Sequence, residues 1–330
     1  LGDNDITAID ELASMTKLEW LYLYDSNDWD AFDNDVSDIT PLQGLTALKG
    51  LSLPGNSVAD VAPLASCTKL SDLNAARNNI SDITPLQALA LLAWLDISGN
   101  TVSDVSPIAD LDRLRRVAAD DNDIADIGAF SGKLPALQEL MLSNNDGIAD
   151  VSALAGRTGL RILDLSLNNV SDISALAGLS GLLELDLSAN PLADTSPLQT
   201  LTSLLHLNLT ACGINSIADA APLVELRGLY ISGNAITDIS PLAGITHLRV
   251  LFADFNPGLS ELSPLAGLLE LSWLTLSNDN VSDIAALVSN SDAGGLGAGD
   301  IIDLRNNPLS VQAVNVDIPA LEANGVTVLH

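Results

Sequence analysis

The feature that most constrains this chain is a period. Aligning LKGLSLPGNSVADVAPLASCTK (48–69) with LSDLNAARNNISDITPLQALAL (70–91) gives one frame, L-x-x-L-x-L-x-x-N-x-I-x-D-I-x-P-L, in a 22-residue repeat. The frame restarts at Leu18, Leu48, Leu70, Leu92, Leu114, Leu137, Leu160, Leu182, Leu204, Leu226, Leu248, Leu271 and, degenerately, Gly299. Intervals are 22 or 23 residues except the first, 30, and the last, 28. Length alone, 330 residues, would suggest two globular domains. A repeat this short removes that inference, because no copy can bury its leucines except against its neighbours. The L-x-L core alternates with period two, the pattern of a short strand with one buried face. Successive copies are therefore expected to stack as a parallel sheet, with strands about 4.8 Å apart.

Two polar positions recur with the leucines. Asn follows the strand at 34, 56, 78, 100, 122, 145, 168, 190, 234, 256 and 307, with Cys212 and Asp279 as substitutes. A buried turn must satisfy its backbone groups, and an amide side chain both donates and accepts. Asp recurs at 38, 60, 82, 104, 126, 150, 172, 194, 238 and 283, ahead of a Pro-Leu-like turn, and reads as the N-cap of a short 3₁₀ or α turn.

With that frame in hand, the chain resembles the leucine-rich repeat superfamily, in the 22-residue bacterial class of internalin-like surface proteins. The resemblance covers essentially the whole chain. It implies an α/β leucine-rich repeat solenoid, right-handed and curved, with a parallel β-sheet on the concave face and short 3₁₀ or α turns on the convex face. It also implies protein recognition through the concave face and an extracellular or cell-surface setting. Residues 1–306 are expected to form the array, which opens inside a repeat without a capping element. Residues 307–330 leave the frame: PALEANG suggests a helix ending at Gly325, then an edge strand VTVLH, together a C-terminal cap.

Register decides where the aromatics go. With the frame leucines at positions 1, 4 and 6 facing inward, positions 3 and 5 project from the concave sheet, flanked by 2, 7 and 8. Only 3% of the chain is aromatic, yet Trp20, Trp94 and Trp273 hold position 3, Tyr22, Tyr230 and Phe252 position 5, Tyr24 position 7 and Phe255 position 8. Trp29 and Phe32 lie in the insertion that lengthens the first interval, and Phe130 takes an ordinary structural position. Large aromatics along one face point to binding, although bulky residues could also simply shield strand backbones.

Charge supports the same face. The net charge of −30 argues against nucleic acid and anionic membrane partners. Eight of the thirteen Lys and Arg residues fall at concave positions, against thirteen acids, so most of the excess negative charge lies elsewhere. The middle of the face, with Asp96, Arg116, Glu139, Asp164, Glu184 and Asp186, is polar and net acidic, which favours a partner with basic residues opposite. A protein or peptide ligand is the leading expectation. A glycan stacked on Trp and Tyr, or a spacer role in a larger adhesin, are the alternatives.

The insertion DSNDWDAFDND places Asp25, Asp28, Asp30, Asp33 and Asp35 within eleven residues, a possible Ca²⁺ ligand set. It lacks the glycine and terminal glutamate of an EF-hand loop, so a solvated acidic loop is preferred and no cofactor is expected. His206 stands on the concave face at position 3 without a defined nucleophile, so no enzyme activity is expected. Cys67 and Cys212 lie seven repeats apart, beyond disulfide reach. The glycines of SNSDAGGLGAGD (289–300) suggest a flexible loop. No stretch of eighteen apolar residues exists to span a membrane.

Overall fold

A computed structural model describes residues 5–23, 34–132 and 134–330. The chain forms two compact units, Leu1–Asn169 and Val170–His330. In the first, the strands are β1 (Trp20–Tyr22), β2 (Gly50–Ser52), β3 (Asp72–Asn74), β4 (Trp94–Asp96), β5 (Arg116–Ala118), β6 (Glu139–Met141) and β7 (Ile162–Asp164). In the second they are β8 (Glu184–Asp186), β9 (His206–Asn208), β10 (Gly228–Tyr230), β11 (Val250–Phe252), β12 (Trp273–Thr275), β13 (Ile301–Asp303) and β14 (Thr327–Leu329). Within each unit neighbouring strands pair in sequence order, all parallel.

β1 to β13 each occupy positions 3–5 of the frame, and pairing never slips: Leu73 sits opposite Leu51 on one side and Leu95 on the other. A one-residue slip would turn the leucines to solvent. Leu48, Leu70, Leu73, Leu92, Leu95 and Leu114 are completely buried, as are their counterparts Leu182, Leu204, Leu207, Leu226, Leu229 and Leu248 in the second unit. Burial of each such side chain contributes about 1.5–3 kcal/mol. Of the aromatics among the described residues only Phe130 joins this core.

The Asn column knits adjacent repeats together. The Asn78 amide nitrogen donates to the carbonyls of Ala75 (3.1 Å) and Ala76 (3.0 Å) in its own turn and of Leu53 (3.0 Å) in the preceding repeat. Its Oδ1 accepts from Val58 N–H at 3.0 Å. The same set recurs at Asn100, Asn122 and, in the second unit, Asn234. Cys212 keeps part of the role, its thiol reaching the Leu187 carbonyl at 3.1 Å. Both cysteines are free and buried, and burial pushes the Cys212 thiol up to about 11.

On the opposite side short 3₁₀ turns follow, such as Thr40–Gly44, Thr84–Ala88 and Ser240–Gly244. The frame aspartates cap them, but not from the N-cap position expected above. Ile39, Ile83 and Ile239 hold that position and are buried. Asp38, Asp82 and Asp238 stand one residue earlier and accept the N–H two residues on, at 2.8, 2.7 and 2.7 Å. The isoleucine must point into the core, so the cap acts from outside as an Asx turn. Hydrogen bonds from the Thr or Ser two residues on hold these carboxyls below the usual carboxylate range.

The reading of 289–300 as a flexible loop is corrected. Its first residues complete α1 (Ala285–Asp292), and the rest is tied to it. Asn290, fully buried, donates to the carbonyls of Leu265 and Leu268 and accepts from Leu296 N–H at 2.8 Å. Gly294 simply turns the chain at φ +88°. Beyond residue 306 come a π-helical turn, Ala313–Asp317, and α2 (Ile318–Ala323); Gly325 at φ +90° then leads into β14. No helix among the described residues is long and apolar enough to cross a membrane.

Asp279 marks a weak rung of the ladder. Its Oδ1 accepts from Asn256 N–H, but its Oδ2 is buried without a partner. Burial pushes its pKa to about 7. Because the folded-state value is raised, the rung is fully compatible with folding below about pH 4. It loses stability as pH rises to about 7, at about 1.4 kcal/mol per pH unit. Asp279→Asn is therefore expected to raise the melting temperature at pH 8, with the gain shrinking to nothing toward pH 4 in paired thermal melts. A pH-independent difference would contradict this account.

Candidate functional site

On the open face of each sheet, the side chains of positions 3 and 5 stand away from the core. In the first unit Trp20 and Tyr22 stack, ring centroids 6.4 Å apart and planes 11° from parallel. A Cβ at Gly50 would lie 2.1 Å from the Trp20 ring, so the indole rests on the backbone of β2, a position open only to glycine. Its outer side stays in solvent, with Trp20 45% and Tyr22 47% exposed. Trp94 is half-buried, and its indole N–H is enclosed without an acceptor. Beside it Arg116, exposed, and Glu139, half-buried, form an ion pair at 3.2 Å.

In the second unit Tyr230, Phe252 and Trp273, on β10, β11 and β12, meet edge to face, with centroids 5.1 and 5.2 Å apart. Phe255 stands free nearby, 59% exposed. The His206 ring leans over Gly228, whose added Cβ would lie 2.6 Å from Nδ1. Glu184 is exposed on β8. The structure thus brings together Trp20 with Tyr22, and Tyr230 with Phe252 and Trp273. Tyr24, Trp29 and Phe32, with Asp25, Asp28, Asp30 and Asp33, lie outside the described residues. Asp35 is described, is exposed and accepts the Ser57 hydroxyl. Among the described residues no three His, Cys, Asp or Glu side chains are grouped to hold a metal ion.

The acidic position-5 residues have a second role that sequence reasoning missed. Asp96, Asp164 and Asp186 accept the position-7 N–H of their own repeats, at Ser98 (3.1 Å), Ser166 (2.8 Å) and Ser188 (2.8 Å). Asn74, Asn208 and Asp303 do the same for Ala76, Thr210 and Arg305. These side chains close the strand-to-turn corner, so their charges are partly committed to the fold. The signal was present as Asp or Asn at position 5, two residues before the capped N–H. Where position 5 is Met141 or Thr275, the preceding repeat lends a carboxylate: Asp120 caps Ser143 N–H and Asp254 caps Ser277 N–H, each at 2.8 Å. Burial first, then the Asp164 and Asp96 carboxylates, raise Asp120 to about 6.

A leucine-rich repeat family model matches residues 135–192, and a model for two copies of the repeat matches 224–267. Among solved structures, an internalin from Listeria monocytogenes aligns at 31% identity and a TM-score of 0.80, over 91% of this chain and 85% of its own. A leucine-rich repeat protein from Leptospira interrogans aligns at 21% identity and a TM-score of 0.85, over 99% and 82%. The ectodomain of a plant membrane receptor kinase from Arabidopsis thaliana aligns at 19% and 0.73, over 90% and 37%. The last two share the fold alone. No curated protein matches by sequence.

Position 8 is left-handed in repeat after repeat, because its N–H must reach the next turn; Phe255 N–H donates to the Ser277 carbonyl at 2.9 Å. Gly55, Gly99, Gly233, Asn144, Asn278 and Asn306 suit that geometry, whereas bulkier residues such as Arg77, Leu167 and Phe255 also adopt it, Phe255 at φ +58° with its ring in water. A bulky residue there costs about 1 kcal/mol. Phe255→Asn is expected to stabilise the protein by roughly 0.5–1 kcal/mol in chemical denaturation, and a loss of stability would show that the ring packs after all.

Proposed function

Because the chain belongs to the leucine-rich repeat family, in its internalin-like class, we propose that it is a non-catalytic recognition module holding a protein or peptide ligand on the open face of its sheets. The observation that carries this is the solvent-facing aromatic row Tyr230–Phe252–Trp273, with Trp20 and Tyr22 in the other unit. The frame buries aliphatic side chains thoroughly, yet leaves these rings on the surface where packing gains least. Trp and Tyr are the residue types that dominate protein-interface hot spots. The plant ectodomain was solved in complex with Casparian strip integrity factor 2, so the fold lends itself to presenting a surface to a ligand. A bacterial surface or secreted setting accords with the internalin resemblance, and residues 307–330 serve in this reading as the cap of the array.

One observation favours a second reading. Trp20 lies flat on Gly50 with half its surface free, a platform on which a sugar face could stack. Panning a displayed random-peptide library on the full chain, beside a variant carrying Trp20→Ala, Trp94→Ala and Trp273→Ala, tests the first reading, with a glycan array as the parallel arm. Peptides enriched on the parent chain are expected to lose at least about tenfold in affinity for the variant, equivalent to about 1.4 kcal/mol, with melting temperature preserved. Equal retention by both proteins would overturn the proposal. Glycan binding that depends on Trp20 alone and is insensitive to salt would favour the sugar reading.

A further inference from the structure

The backbone of the second unit carries a clue to what its aromatic row recognises. The position-7 N–H of a repeat points at a side-chain oxygen: Asp186 serves Ser188, Asn208 serves Thr210, Asp303 serves Arg305, and Asp254 is lent to Ser277. Two repeats break the rule. Their position-5 residues are Tyr230 and Phe252, and among the described residues nothing accepts from the N–H of Ser232 or of Asp254. An aromatic ring has replaced the carboxylate or amide in both, and it cannot accept in that way. These are adjacent repeats, so the two donors lie about one strand spacing apart, roughly 4.8 Å, directly beside the row of rings. Among the described residues of the first unit the Asp120 N–H, after Ala118, likewise has no acceptor, but without an aromatic at position 5.

An unpaired backbone donor costs free energy unless water or a ligand serves it. The atom that fits is an oxygen placed where the Asx oxygens sit in neighbouring repeats. Charge decides which kind. The Asp254 carboxylate, held by Ser277 N–H and the Thr275 hydroxyl, stands at the same corner. At the open-face positions of residues 170–330 stand Arg227, Arg249 and Arg305 against Glu184, Asp186, Asp254, Asp300 and Asp303, a net acidic balance. Of those three cations, Arg249 is paired with Glu270 at 2.9 Å and Arg305 with Asp303 at 2.5 Å. An anionic ligand is repelled here, whereas a neutral carbonyl flanked by positive charge is welcome.

We propose, resting on the recognition reading above, that this patch binds a basic peptide segment. It packs an apolar or aromatic side chain on Tyr230, Phe252 and Trp273, and seats its main-chain carbonyl on the N–H of Ser232 or Asp254. The carbonyl takes the place of the missing side-chain cap. Specificity is then for an apolar residue with Lys or Arg beside it, presented with an accessible backbone.

The test is solution NMR of the ¹⁵N-labelled full chain with three probes: acetyl-Lys-Trp-Lys-amide, acetyl-Glu-Trp-Glu-amide, and tryptamine, which has the ring and charge but no carbonyl. The basic peptide is expected to move the amide proton of Ser232 or Asp254 downfield, saturably, and at least about tenfold more tightly than the acidic one. Tryptamine is expected to perturb the Trp273 indole without that amide shift. Tyr230→Asn with Phe252→Asn restores the side-chain caps on Asn74 and Asn208 precedent, and is expected to keep or raise the melting temperature while abolishing the amide shift. If that variant does not fold, the three probes on the parent chain still decide. Shifts confined to Trp20, Tyr22 or Trp94 would overturn this inference and leave recognition by the sheet face standing. Equal affinity for both peptides, or no shift up to the solubility limit, would also overturn it, and the panning result would judge the broader reading separately.

Discussion

Everything in this molecule depends on how one side chain per repeat satisfies a buried turn. A three-residue strand is too short to persist alone, and each repeat leaves carbonyls facing the interior where water cannot reach. The ladder Asn answers both problems. Its amide nitrogen binds carbonyls in its own turn and the one before, and its oxygen receives an N–H from the preceding repeat, as at Asn78 and Asn100. Neighbouring repeats are thereby bonded through their most costly atoms, and the strands are held in a register that never shifts within either unit.

That register turns a list of residues into surfaces. Once Leu73 is fixed opposite Leu51 and Leu95, every position 3 and 5 is committed to the open face. The aromatics there cannot retreat into the core, which the aliphatic columns already fill. Local glycines complete the arrangement: Gly50 lets the Trp20 indole lie on the neighbouring strand, and Gly228 does so for His206. The acidic surplus is also partly structural, since Asp38, Asp82 and Asp238 close the turns on the far side.

Position 5 is where folding and recognition compete. An Asp or Asn there, as at Asp164, Asp186 or Asn208, closes the corner of its own repeat. A Tyr or Phe forgoes that bond and offers a ring to solvent. The repeats at Tyr230 and Phe252 took the second course side by side, next to Trp273 and to Phe255 in its left-handed corner. Departures from the locally optimal residue, clustered in space, are where a binding surface is to be sought.

The amino-acid sequence by itself determined the repeat, the strand positions, the buried leucine columns and the ladder, including its substitutes Cys212 and Asp279. These follow from periodicity and from the need to satisfy a turn, both local properties that repetition amplifies. It also determined which face holds Trp20, Tyr22, Tyr230, Phe252 and Trp273, because a period of two leaves no choice of side. Only the tertiary structure decided how those rings meet, that Asp96, Asp164 and Asp186 are corner caps as well as surface charges, and that Asp120 and Asp254 are lent to the next repeat. It likewise turned 289–300 from an apparent loop into a helix end anchored by Asn290. Those outcomes depend on which hydrogen-bond partner stands within 3 Å across a repeat boundary, a distance that spacing along the chain does not encode.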